Sequence, residues 1–307
     1  MSELRAEPLS AIDAATLWPQ LHRLGTEVIA TRSSDNLLLS SGLAATGLSN
    51  LPRMPRTAVL GVRGRLRYRG VLAARELAGG AVWEVVSIRM ARDKDDDVVT
   101  ALLGGACAEI ARRGGRALHL RYPDGSPHAE AVRKAGFMVY RLERLYAIPP
   151  APKATADARL RPAKRADRAG VFRLYCRVVP EHIRRQEAPT LQEWRAVQDS
   201  YDCDREFVFE RDGAIEAWVG VGEREVFVLV ESTVEGLIDA VLDEVNRQSG
   251  RQGTLVLAEF QGDIEHAACG RGYTALGMRL VSTRQLALRN SLKEVVAVPA
   301  ESLALPH

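Results

Sequence analysis

The amino-acid sequence predicts an α+β chain of two tandem domains, each a mixed, mostly antiparallel sheet flanked by helices. Three observations predict it. First, a chain of 307 residues fits about two ordinary domains. Second, the stretch "IPPAPKATADA", Ile148 to Ala158, is rich in Pro and Ala, lacks apolar periodicity and reads as a semi-rigid linker. Third, the two segments it separates close in the same order. Each has a helix ending at Gly, a short strand (ALHL; TLVL), a short amphipathic helix, a Gly-aromatic pair (Gly136-Phe137; Gly272-Tyr273), and then two more strands. A shared order at similar spacing argues for a duplicated unit. The expected divisions are 1–149 and 158–290 for the domains, 150–157 for the linker and 291–307 for a tail. The domains are expected to meet through sheet edges or terminal strands, and one continuous sheet, or a doubly wound parallel sheet, would sink this two-domain reading.

In the first half a helix is expected over "AATLWPQLHRLGTEVIATR", with Pro19 in its first turns. Strands follow at "TAVLGVR", "RYRGVLAAREL" and "AVWEVVSIRM", then a helix beginning in "VVTALL". The second half opens with a strand at "ARLRPA" and a helix over "RADRAGVFRLYCRVV", where Val171, Leu174, Tyr175 and Val178 line one face. "HIRRQEAP" joins it to a second helix at "TLQEWRAVQ", where Thr190 and Glu193 make a capping box. Strands at "EFVFERD", "AIEAWVGVG" and "EVFVLVES" come next, the first two joined by a hairpin turn at Arg211-Asp212-Gly213. A long helix, "VEGLIDAVLDEVNRQ", leads to the last strands. Gly136 and Gly272 suit the position after a helix, where a positive φ stops it.

Net charge is +3, too slight to argue for nucleic acid. The Arg-rich hairpin "RGRLRYRG", Arg63 to Gly70, would put a basic strand face beside Tyr68, and reads as an edge strand protected by charge. The four cysteines carry no metal spacing and indicate a reducing compartment, the cytoplasm, with no metal site expected. No signal peptide is expected, and no apolar run is long enough to span a membrane.

The order strand, helices, three antiparallel strands, helix, strand, helix, two strands occurs twice and resembles the GNAT N-acetyltransferase superfamily. "TALL" with "AEIARRGG" looks like that family's third helix, "AEAVRKAGF" like its fourth helix with a Gly-Phe end, and "LRPAKRADRAGVFRLY" like its opening strand and helix. The resemblance implies acetyl-CoA or another acyl-CoA as cofactor, held where the fourth strand meets the third helix by an Arg/Gln-x-x-Gly-x-Gly/Ala loop. Main-chain N–H groups at a helix start favour a diphosphate, and glycines let it approach. Here the Arg position falls on Lys94, the first Gly on Asp97 and the second on Val99. Two like charges about 4 Å apart repel by roughly 1 kcal/mol in water, so Asp97, with Asp95 and Asp96, opposes a diphosphate. These aspartates are expected to cap a helix whose ligand has gone, the sharper alternative being a Mg²⁺-bridged phosphate.

The second half has no Arg or Gln at this junction. Ser232 and Thr233 either cap the helix or meet an anion, and Glu235 opposes phosphate. The resemblance places main-chain contacts to the cofactor's pantetheine arm at Ile88 and Met90 in the first half and at Val230 in the second. It makes Glu84 and Glu231 the candidate proton acceptors. The family's tyrosine donor would fall on Val132 and Ala268, so it is missing in both halves; His128 and His266 lie nearby. Arg184 and Arg185 are candidates for an acidic acceptor, or are simply exposed. The expectation is a degenerate tandem acetyltransferase-like protein serving as a binding or structural module, with a protein partner or a homodimer. The alternative is an active acyl-CoA-dependent N-acyltransferase on an amine, and the third reading is nucleic-acid association through the Arg-rich hairpin.

Overall fold

The structure is a computed structural model that describes residues 4–9, 13, 24, 26–30, 56–64, 67–92, 95–150, 160–188, 190–249 and 253–286. Most of the expected N-terminal helix, Asp93, Lys94, the greater part of the linker and the tail after Asn290 lie outside these residues.

In the first half, strands β1 (Ala6–Pro8), β2 (Thr26–Ala30), β3 (Thr57–Arg63), β4 (Tyr68–Glu76) and β5 (Val82–Met90) precede helix α1 (Asp96–Arg112). Strand β6 (Ala117–Pro123), helix α2 (Ala129–Lys134) and strand β7 (Met138–Ala147) complete it. The second half runs β8 (Arg161–Pro162), a 3-10 turn (Arg165–Asp167), α3 (Arg168–Val178), α4 (Glu181–Glu187) and α5 (Leu191–Tyr201). It continues with β9 (Arg205–Arg211), β10 (Ala214–Val221), β11 (Glu225–Val230), α6 (Leu237–Gln248), β12 (Thr254–Ala258), α7 (Gly262–Gly270) and β13 (Thr274–Gln285).

Local chemistry explains most of these boundaries. The two-residue hairpin between β9 and β10 has Asp212 at φ 52° and Gly213 at φ 76°, the mirror-image turn that matches strand twist. Gly136 and Gly272 sit at φ 81° and 85°. After each, an aromatic N–H reaches back into the last helical turn, Phe137 to Val132 O and Tyr273 to Ala268 O, and both rings are buried. Thr190 caps α5 by accepting from Glu193 N–H.

Four expectations are corrected. Residues 26–30, placed in a helix by the sequence, form β2; the glycine before them is a poor helix residue, and "TEVIA" finds a strand partner in β5. "HIRRQE" forms α4 rather than a plain connection. The two strands expected after each Gly-aromatic pair are one long strand each, since neither segment has a turn sequence to break it. The Arg-rich hairpin is not an edge: β3 lies between β1 and β4. Two of its arginines are engaged, Arg63 with Asp13 and Tyr68, and Arg69 with Asp95.

The fifth difference concerns the sheet. A single sheet runs β1-β3-β4-β5-β6-β13-β7-β12-β11-β10-β9-β8, with β2 paired to β5 beside this path. The tandem order survives inside it because the halves exchange their last strands. β13 lies between β6 and β7, both of the first half, and β7 lies between β13 and β12, both of the second. The register pairs Leu142 with Leu280, which marks the centre of the exchange. The outermost strands, β1 and β8, are short and each ends on a proline, which lacks the N–H another strand would bind.

Cores form on both faces. Helices α1 and α2 cover Leu72, Trp83, Val85, Ile88 and Leu118 of the first half. Helices α6 and α7 cover Ala217, Val219, Val228 and Leu255 of the second, while α3, α4 and α5 cover the opposite face through Trp194, Trp218 and Phe227. Helix α5 also reaches the first half: Ala196 packs with Leu77, Val82 and Ala117.

Candidate functional site

In each half two parallel strands begin together and then part. β5 pairs with β6 only from Val82 to Glu84, and β11 pairs with β12 only from Glu225 to Phe227. Beyond those residues the carboxyl ends diverge, and the helix that follows the first strand of each pair, α1 or α6, starts at the opening.

In the first half the opening is taken by the chain itself. β2 runs antiparallel along β5, pairing Thr26 with Met90, Glu27 with Arg89, Ile29 with Ile88 and Ala30 with Ser87. Ile88 and Met90, named above for main-chain contacts to a cofactor, are therefore paired on both sides, with β4 and with β2. At the junction, Asp95 is the residue preceding α1, but its side chain makes no capping hydrogen bond and pairs with Arg69 instead. Asp96 shares a hydrogen bond of 2.8 Å with His128 Nδ1, tying the start of α1 to α2. Asp97 is exposed. Asp95 and Asp96 thus bind neighbouring elements instead of capping the helix, although the acids still complement the helix dipole. With Asp95 and Asp96 so engaged, no three metal-ligating side chains come together among the described residues.

Glu84 is buried, 1 % exposed, on the sheet face opposite α1. Its Oε1 is bound by Arg121 and its Oε2 lies 3.4 Å from Arg75 Nη2. Both oxygens face guanidinium groups, so neither is presented to an incoming amine. The pair belongs to a longer chain of buried charge that joins the halves. Arg75 Nη2 donates to Asp199 O and Arg121 Nη2 to Ser200 Oγ, both on α5. Arg121, Arg141 and Arg279 converge on Glu143 of β7. Arg141 Nη1 donates to Glu187 Oε1 on α4 at 2.5 Å, and Arg279 binds Glu225 at 2.6 and 3.0 Å. Tyr140 and Tyr175 hydroxyls also donate to Glu187.

The electrostatics follow from burial. For Glu143, burial pushes the pKa up, but Arg279, Arg141 and Arg121 overcome it and hold the carboxyl below the usual range. Burial, with Arg121 and Arg141 adding repulsion, lowers His119 to about 3, so it is neutral beside the Tyr140 hydroxyl at 3.3 Å. Burial raises Tyr201 to about 12 and also raises Tyr140, where Glu187 adds to the effect. The gap beside His119, Arg121 and Ser200 is about 10 Å³, and one bounded by Tyr201, Trp218 and Phe227 about 20 Å³. Each is room for about one water, not for an acyl chain.

In the second half β10 pairs with β11 as far as Val230, but no described strand pairs with the other edge of β11 past Phe227. Gln261, the residue before α7, spans the parting instead: Nε2 donates to Val228 O and Oε1 accepts from Ala258 N–H, both at 2.8 Å. Tyr201 stacks on Phe227, ring centres 4.3 Å apart, where Phe227 holds the place of Glu84. Glu231 lies one residue past β11, bound by Arg177 at 3.3 Å and by Thr233 Oγ1 at 3.2 Å. Ser232 and Thr233 are exposed and do not cap α6; the preceding residue is Gly236, at φ 68°. Val230 is buried in the core under α6. Val132 and Ala268, at the donor positions, are core residues, and His266 is exposed. Arg184 Nε donates to Val179 O and Arg185 pairs with Glu181 within α4.

The structure does not bring Glu84 and Glu231 together. Gln261 and the Arg75–Glu84–Arg121–Glu143–Arg141–Glu187 chain were not anticipated. The signal was present in "YRLERLY", where Arg141 and Glu143 alternate on one strand face within an apolar segment, a pattern that places charge in the interior once both faces are covered.

No protein-family model matches the sequence, and no curated protein matches it. Solved structures do. A tandem GNAT protein from the clavulanic acid biosynthesis pathway is 14 % identical, with 92 % of this chain and 98 % of that one covered and a TM-score of 0.50. A GCN5-related N-acetyltransferase from Sphaerobacter thermophilus is 13 % identical, covering 93 % and 96 %, with a TM-score of 0.52. The chain has the tandem GNAT, acyl-CoA N-acyltransferase-like fold. No helix among the described residues is long and apolar enough to cross a membrane.

Proposed function

We propose that this chain is a tandem acetyltransferase-like protein that no longer transfers acyl groups and acts as a binding or structural module. One observation carries the reading: β2 lies along the edge of β5 between Ser87 and Met90, where an extended cofactor arm would otherwise pair. Other features point the same way. A diphosphate at α1 would meet exposed Asp97 and the Asp95–Arg69 pair. Glu84 is committed to arginines. These residues do not fit an acyl-CoA in the first half. The module reading calls for a protein partner or a second copy of the chain.

Calorimetry of the full-length protein with acetyl-CoA, with and without Mg²⁺, tests it. No heat of binding and no acetyl transfer to amines are expected; tight metal-independent binding with turnover overturns the reading. The alternative is an active N-acyltransferase confined to the second half. It is favoured by the start of α6, which has no side-chain cap and presents exposed Ser232 and Thr233 at the parting of β11 and β12. Its mark is turnover lost on replacing residues at that junction and indifferent to Glu84→Gln.

A further inference from the structure

Helix α1 buries one face on the sheet, through Val98, Val99, Leu102, Leu103, Ala106 and Ile110. Its outward line, at spacings of three and four, is Asp97, Ala101, Gly104, Ala108 and Arg112. A solvent-facing line ordinarily carries long polar side chains. Here the three middle positions carry a methyl group or nothing, and with β1 they border an open groove of about 1300 Å³. Of the two adjacent glycines in mid-helix, only one has a reason within the chain. A Cβ on Gly105 would stand 2.8 Å from Ala6 Cβ, so glycine there lets β1 lie close. A Cβ on Gly104 would meet nothing within 4 Å, although glycine weakens a helix interior relative to alanine.

The charges along this line are ordered. Asp97 is exposed at its start, and Arg112 is exposed at its end, where it also pairs with Glu109 of the same helix. Asp97 and Arg112 lie equally far from the point between Gly104 and Gly105, and so do Ala101 and Ala108. A twofold axis through that point, perpendicular to the helix, sets Asp97 of one copy on Arg112 of the other, twice. It sets Ala101 on Ala108, twice, with glycine on glycine at the crossing. The other charges of the groove also balance: Arg69 is held by Asp95, which leaves Arg5 against Glu7. A face that meets its own copy must not carry an excess of one sign.

We propose that this face of α1 is the contact between two copies of the chain, packed antiparallel about Gly104 and Gly105. With no side chain at the crossing, the helix axes approach to about 8 Å, the near limit for packed helices. The two Asp97–Arg112 pairs, about 22 Å apart along the axis, set the direction, because parallel packing would bring Asp97 onto Asp97 and Arg112 onto Arg112. The inference rests on the module reading in that it names the partner that reading calls for; the contact itself is measured without reference to catalysis.

The test is sedimentation of the full-length protein over a range of concentrations, with thermal melts alongside. Wild type is expected to pass from monomer to dimer, less readily in high salt, since the end pairs are exposed. Asp97→Arg or Arg112→Asp alone sets two like-charge pairs across the axis and should weaken the dimer roughly tenfold. Mixing these two variants should restore association, because each supplies the sign the other lacks. Gly104→Gln fills the crossing and should also weaken the dimer roughly tenfold, while the thermal midpoint of the dilute monomer rises, glutamine being the better helix residue. That rise separates loss of the contact from loss of the fold. A wild type that stays monomeric up to about 100 μM, a dimer indifferent to all three variants, or a mixture that does not associate overturns the proposal. Acetyl-CoA turnover by a wild type that dimerises through α1 overturns the module reading instead, so the two failures are distinguishable.

Discussion

The two halves close the same kind of opening by different means. In the first, an entire strand, β2, lies along β5. In the second, one glutamine spans β11 and β12, and Tyr201 stacks on Phe227 below it. The residues at matching places differ just as much: Glu84, gripped by two arginines, stands where the second half has Phe227. The frame around them is shared, down to the positive-φ glycine and buried aromatic ring that end α2 and α7. A duplicated frame held by main-chain pairing and apolar cores tolerates complete replacement of the groups at its openings, because those groups contribute little to the pairing.

The largest effect should come from separating the halves. β7 and β13 are each flanked by strands of the opposite half, so residues 1–149 or 158–307 alone would expose unpaired strand edges and take Ser200 from Arg121, Glu187 from Arg141 and Glu143 from Arg279. Neither fragment should show a cooperative melt by circular dichroism, and mixing the two should restore one. A fragment that melts cooperatively alone would mean the halves are independent and the exchange incidental.

Next in size is the buried charge between them. Glu143→Ala leaves Arg141 and Arg279 without a shared carboxylate in the interior, and should cost about 3–5 kcal/mol in urea unfolding. Glu231→Ala, at the other candidate carboxylate, breaks only partly exposed contacts and should cost about 1 kcal/mol or less. Equal costs would erase the contrast between the joined centre and the separate openings.

Acid should act through the same centre. His119 has a folded-state pKa lowered to about 3, so between that value and its ordinary range the unfolded chain binds a proton that the folded chain does not. Its contribution is therefore complete above about pH 6.5 and is lost as pH falls toward 3, at up to about 1.4 kcal/mol per pH unit. His119→Gln should flatten the dependence of the unfolding midpoint on pH between about 6.5 and 4, and an unchanged slope would assign acid sensitivity elsewhere. Smallest is the shared helix end. Gly272→Ala should cost about 1 kcal/mol for the positive φ alone. Gly136→Ala should cost slightly more, since its new Cβ would meet Arg284 Nε at 3.4 Å.

The repeated order of elements, the helix ends at Gly136 and Gly272, the Thr190 cap and the Asp212-Gly213 hairpin were all legible in the residues alone. Each is set by interactions within a few residues of chain, where backbone conformation and local hydrogen bonds dominate. The exchange of β7 and β13 was not legible, nor was the pairing of "TEVIA" as a strand, nor the engagement of Asp95 and Asp96 by Arg69 and His128 in place of capping. The roles of Glu84 and Gln261 likewise emerged only when the chain was folded. Strand pairing satisfies any extended segment with any other, and a charged side chain takes the partner that the fold brings near. Neither choice is written in the residues on either side, because both depend on groups up to 149 positions away, as the Arg284 contact to Ala135 illustrates.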